Sequence, residues 1–120
     1  MRLDFVVLYT SAPVRLADFY SKGLGLTERL SRFDGRYLEL EAGGVTLAIC
    51  DSALVTTLIP EIASTSSGDI MGPMRQLSFA VEDVEKAAAQ SLRAGGTMVS
   101  PAAVRPWKCE VAIVRDPDGQ

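Results

Sequence analysis

The chain has 120 residues, of which 48% are hydrophobic and 22% charged, and its net charge is −3. That is one domain's length, able to bury roughly two thirds of its unfolded surface, and its acidic balance argues against nucleic acid, which demands a basic face. No apolar run nears the roughly 18 residues of a membrane span and the N-terminal run is too short for a secretory signal, so a soluble, cytoplasmic protein with no membrane partner is expected.

Residues 3–9 read as a first strand. Ala12-Pro13 opens a helix, because a proline at the first helical position lacks only an N–H that would be unpaired anyway. Leu16, Ala17, Phe19 and Tyr20 form its apolar stripe, and Gly23 and Gly25 are placed to stop it. Residues 26–33 suit a strand, Asp34-Gly35 a hairpin turn, 36–41 an alternating strand, 42–44 a second turn and 45–50 a further strand. The first module, 1–51, is therefore βαβββ. Residues 52–74 form a link with a short helix over 54–59 ended by Pro60 and a turn-rich stretch at 64–69. A link this long inside a compact domain is functional or loosely ordered.

The second module, 75–120, starts with a strand at 75–81. Leu77, Phe79 and Val81 alternate with Gln76, Ser78 and Ala80. Asp83 is placed to cap a helix whose stripe is Val84, Ala87, Ala88, Ser91 and Leu92. Arg93 suits the negative end of the helix dipole, and Gly95 and Gly96 offer the positive φ that ends it. A short strand at 97–100 halted by Pro101, a loop at 102–106, a strand at 107–115 and a turn at 116–119 follow. The strand–turn–helix–glycine pattern of 5–25 thus recurs at 76–96, an ungapped offset of 71 from Phe5 to Gln76 that lays Ala17 on Ala88 and Gly25 on Gly96. By analogy with the first module a last strand should come after residue 119. The sequence stops short of it, which leaves a truncated chain, a bare edge or pairing with another chain as readings.

Cys50 and Cys109 match no zinc spacing and each lies in an apolar strand-like run, so buried free thiols are expected. The sequence contains no histidine, the usual base for activating a thiol or hydroxyl. Glu39 and Glu41 share a strand face, but catalytic carboxylates work across a substrate, and a wet face is the simpler reading. Arg36, Arg75 and Arg105 read as surface cations, and Asp116 and Asp118 as turn residues.

Two βαβββ modules, FYSKGLGLT after the first helix, FAVEDVEKA in the middle and VRDPDGQ near the end resemble the vicinal oxygen chelate superfamily of glyoxalase I, bleomycin-resistance proteins and extradiol dioxygenases. The resemblance spans nearly the whole chain. It implies an α+β fold of paired βαβββ modules in a half-open, barrel-like sheet that encloses a pocket, and a homodimer. In the metal enzymes of the family the ligands come from the first and last strands of each module. The matching positions here are Phe5, Ala48 and Gln76, with the last strand of the second module absent, so no metal ligand set and no cofactor are expected; a divalent metal held through Gln76 is the alternative. The resemblance points instead to metal-independent binding of a small, partly aromatic molecule, lined by Phe5, Val7, Ala48, Cys50, Gln76 and Ser78. Trp107 lies where antibiotic-binding members place an aromatic over the ligand. Each has a plainer reading: Phe5 as core, Gln76 as an amide satisfied by backbone, Trp107 as a cover for the barrel end. A metal-dependent lyase, isomerase or dioxygenase is the competing function, and a module acting through protein contacts a third.

Overall fold

A parallel strand pair cannot be closed by a hairpin and needs a crossover; the first half of the chain is built around one. The computed structural model describes residues 1–61 and 75–119. It divides into two compact units, Arg2–Ala80 and the residues from Val81 onward together with Met1. In the first unit, β1 (Arg2–Thr10) is followed by α1 (Pro13–Asp18), β2 (Thr27–Arg32), β3 (Tyr37–Ala42), β4 (Val45–Asp51), α2 (Ser52–Leu58) and β5 (Arg75–Ala80). The sheet order is β2-β3-β4-β1-β5. β1 lies parallel to β4 and antiparallel to β5, and α1 with the β2–β3 hairpin makes the crossover.

Alternation along β3 and β4 decides which side is core. Leu38, Leu40 and Ile49 pack with Ala17 of α1, and Leu16, Tyr20, Leu26 and Leu47 close around them. Leu40 and Ile49 are fully buried. The intervening residues therefore face the other side of the sheet.

The boundaries differ from expectation where side chains intervene. The turn between β2 and β3 takes in Phe33, which joins Asp34 and Gly35 at positive φ, so β2 ends at Arg32. The helix expected from Leu54 starts at Ser52, because the Asp51 carboxylate accepts the Ala53 N–H at 2.9 Å and caps it where β4 ends. The turn-rich 64–69 stretch lies outside the described residues.

The second unit holds α3 (Val84–Arg93), β6 (Thr97–Val104) and β7 (Glu110–Arg115), the last two paired antiparallel. Asp83 caps α3 as its position predicts, accepting the Lys86 N–H at 2.9 Å. Four expectations fail here. β6 passes through Pro101, because register shifts between Met98 and Ala103 spare the proline a ladder hydrogen bond. β7 starts at Glu110, not at Trp107. Residues 105–109 form the hairpin turn, with the Lys108 N–H donated to Arg105 O at 2.8 Å and Lys108 at φ +68. That turn carries Cys109 to the surface, so of the two free thiols only Cys50 is buried. Arg105, read as a surface cation, is half-buried and donates to the buried Ser100 hydroxyl at 2.6 Å.

Candidate functional site

The face of the first unit's sheet turned away from α1 is laid out in rows fixed by strand register. One row is Tyr37, Cys50 and Tyr9; the next is Glu39, Ala48, Val7 and Gln76; the third is Glu41, Thr46, Phe5 and Ser78. Strands about 4.8 Å apart make the four-strand rows roughly 14 Å wide. The face therefore unites Phe5, Val7, Ala48, Cys50, Gln76 and Ser78, all six of the first-unit residues that the sequence marked as ligand contacts. Val7, Ala48 and Cys50 are buried, and Phe5, Gln76 and Ser78 are half-buried. Along β5 Gln76 and Ser78 are half-buried, while Leu77 and Phe79 are more than half exposed. Trp107 belongs to the second unit, where it stands 45% exposed in the β6–β7 turn.

Two hydrogen-bond systems occupy this face. In one, the Tyr9 hydroxyl donates to Gln76 Oε1 at 2.6 Å. Burial, helped by the nearby Cys50 thiol, holds the Tyr9 phenol well above its ordinary range, so it stays a neutral donor. In the other, Arg29 reaches across β3. Its guanidinium donates to Glu39 Oε1 at 2.8 Å, to Thr46 Oγ1 at 2.8 Å and to Glu41 Oε1 at 3.4 Å. The Tyr37 hydroxyl donates to the second Glu39 oxygen at 2.8 Å. Burial is the main cause of a strongly raised Tyr37 pKa, and the Glu39 carboxylate adds to it. The Arg29 pKa is raised chiefly by its hydrogen bond to Glu39.

This second system corrects the reading of Glu39 and Glu41 as one wet face. Glu41 is half exposed, but the Glu39 side chain is only 12% exposed and tied on both oxygens. Alternation on β3 puts Tyr37, Glu39 and Glu41 together and was the available signal; Arg29 had none, because it sits at a register shift between Glu28 and Leu30, a bulge that re-aims a side chain.

Cys50 is pushed up to about 11, first by burial and then by the Asp51 charge, with Arg36 opposing. Arg36 pairs with Asp51 at 3.1 Å, and the Asp51 pKa is lowered mainly by the Ala53 N–H and then by Arg36. The Cys50 thiol is thus protonated and shielded near neutral pH, and the thiolate is the reactive form. Iodoacetamide at pH 8 is expected to add once to the native protein, at exposed Cys109, and a second time only in denaturant. Intact-mass analysis showing comparable native labelling of Cys50 would contradict its burial.

A separate open groove of about 790 Å³ runs beside α1 between Thr10 and Gly23. Its Lys22 and Asp18 pair with each other at 3.2 Å, and none of the residues that the sequence marked as ligand contacts lines it.

With this geometry in view, comparison with known proteins decides the family. The model of the Glyoxalase/Bleomycin resistance protein/Dioxygenase superfamily matches residues 2–120. The chain belongs to this superfamily. Its fold is that of the superfamily, α+β with the expected βαβββ order in the first module. Similar solved structures include a hypothetical protein of Bacillus halodurans C-125, with a TM-score of 0.66, 14% identity, and 98% of this chain and 86% of that one covered. A Legionella pneumophila protein described as an NAD-dependent benzaldehyde dehydrogenase gives 0.65, 17% identity and coverage of 97% and 91%. A Methanosarcina mazei protein gives 0.52, 14% identity and coverage of 100% and 89%. At such identities the likeness is one of fold. No curated protein sequence matches the chain significantly.

The superfamily's metal enzymes raise the question of a divalent ion. Such an ion needs three or four converging N, O or S donors. Phe5 and Ala48 bring none, Gln76 Oε1 is taken by Tyr9, and Glu39 is taken by Arg29 and Tyr37. Among the described residues no group of three or more His, Cys, Asp or Glu side chains is placed to hold a metal. These residues do not fit the ion. Also among the described residues, no helix is long and apolar enough to cross a membrane.

Proposed function

We propose that this superfamily member is a metal-independent binding protein of the bleomycin-resistance type, a cytoplasmic homodimer that takes up a small, partly aromatic molecule on the face described above. The observation that carries this reading is the neutral Tyr9–Gln76 pair, bonded at 2.6 Å beside Phe5, Val7 and Ala48. Apolar walls with one or two oriented polar groups suit binding by enclosure and stacking. The pair brings no nucleophile and no charge, which favours holding a molecule over transforming it.

The test is a saturating panel of aromatic antibiotics and metabolites read by melting temperature and Trp107 fluorescence. At least one member should stabilise the protein, by about 2.7 kcal/mol at a hundredfold excess over its Kd, and the gain should shrink in Tyr9→Phe and Gln76→Ala. A panel that moves neither signal would sink the reading. About one Ni, Zn, Fe or Mn per chain after native purification would replace it with a metal-dependent lyase, isomerase or dioxygenase.

A further inference from the structure

A hydrogen-bond inventory of the same face narrows what it can accept. Arg29 is neutralised by Glu39 and Glu41, and both Glu39 oxygens are bonded. Among the described residues of this face an anionic ligand would find no free cation, and a cationic one would find the best-sheltered carboxylate occupied. Desolvating a charge without a partner is costly. The Cys50 thiol donates to Asp51 O at 3.5 Å.

Where β5 lines this face, two polar groups remain unspent. The phenolic proton of Tyr9 needs an acceptor and finds Gln76 Oε1, which fixes the amide so that Nε2 is the free end. Among the described residues, neither that nitrogen nor the Ser78 hydroxyl has a hydrogen-bond partner. Both lie on β5, two residues apart and so roughly 7 Å from each other, opposite Val7 and Phe5 of β1.

We infer, resting on the binding reading above, that the ligand is uncharged and carries a carbonyl oxygen that accepts from Gln76 Nε2, with its ring against Val7 and Phe5 and a second polar atom within reach of Ser78. Tyr9 is a positioning residue that holds the amide in this orientation, and Gln76 is the residue that sets specificity.

The experiment uses ¹⁵N-labelled full chain and three single-ring probes of similar size and different charge: benzamide, benzoate and benzylamine. Benzamide should shift the Gln76 side-chain amide signals and bind about tenfold tighter than either charged probe, because benzylamine has no acceptor for Gln76 Nε2 and benzoate brings a charge that finds no cation to pair with. Gln76→Leu should remove that advantage. Gln76→Glu, which keeps an acceptor for Tyr9 and removes the donor, is the second variant should the first fail to fold. Equal or tighter binding of benzoate or benzylamine, or benzamide binding undiminished in a folded variant, would overturn the inference and leave the binding reading intact. No response to these probes or to the wider panel would overturn both.

Discussion

Leu40→Ala is expected to destabilise the first unit by about 2–5 kcal/mol, the range for deleting a buried leucine side chain where the surroundings close only partly. Leu40 has no exposed surface and sits between Ala17 of α1 and the neighbouring Leu38 and Ile49. It pairs with Leu47 across β3 and β4, so neither strand can move in to fill the gap without carrying its ladder along. Domains of this size are stable by only about 5–15 kcal/mol, so the loss is a large share of the whole. Urea unfolding followed by circular dichroism should show a lower midpoint at an unchanged slope. Leu24→Ala, at a position 65% exposed, should stay within about 0.5 kcal/mol of the parent. A loss below about 1 kcal/mol for Leu40→Ala would mean that the helix-to-sheet layer is not where this unit keeps its stability.

That layer was legible in the sequence because strand alternation has a period of two and needs no tertiary information. The same alternation grouped Phe5 with Val7, Ala48 with Cys50 and Gln76 with Ser78, and the family resemblance joined the three pairs into one lining. The repeat offset was informative too. Phe5 is matched to Gln76 and Val7 to Ser78, and in the observed register Phe5 pairs with Ser78 and Val7 with Gln76, so the matched positions stand symmetrically about the Val6–Leu77 pair. What stayed hidden depended on backbone irregularity. Arg29 reaches Thr46 from a bulge that no residue in β2 advertises. Lys108 adopts a left-handed conformation that glycine or asparagine usually marks, so the turn at 105–109 looked like strand and its two residues of interest, Trp107 and Cys109, were assigned to the wrong element. Pro101 looked like a stop because the register shifts that accommodate it cannot be read from composition.

The glycines at the ends of the two helices separate pattern from cause in the same way, and they give the second large effect. The offset of 71 holds from the strands through the residues before each helix, Ala12 and Asp83, and lays Gly25 on Gly96. In the structure the left-handed stop is Gly25, φ +73, in the first repeat but Gly95, φ +103, in the second. The one-residue drift is taken up by the π-helical turn Phe19–Gly23 that continues α1, since a π turn holds one more residue than an α turn. Gly96 then has a different duty. Its N–H reaches Ser91 O at 2.9 Å while that of Gly95 reaches Leu92 O at 3.1 Å, the paired bonds of a Schellman stop. A Cβ at Gly96 would stand 2.9 Å from Ser91 O and 3.0 Å from Arg115 O. Both are backbone atoms, so no side-chain rotation relieves the contact; either the helix end or β7 must shift. Gly96→Ala is therefore expected to cost roughly 1–3 kcal/mol, the range for overpacking a closed site, and to speed amide exchange at the end of α3 and along β7. Gly25 has open space around its Cβ position and only its φ to satisfy. Asparagine tolerates that conformation, so Gly25→Asn should be nearly silent where Gly96→Asn is as damaging as Gly96→Ala. Equal effects of asparagine at the two positions would show that the close approach of Ser91 and Arg115 does not limit position 96.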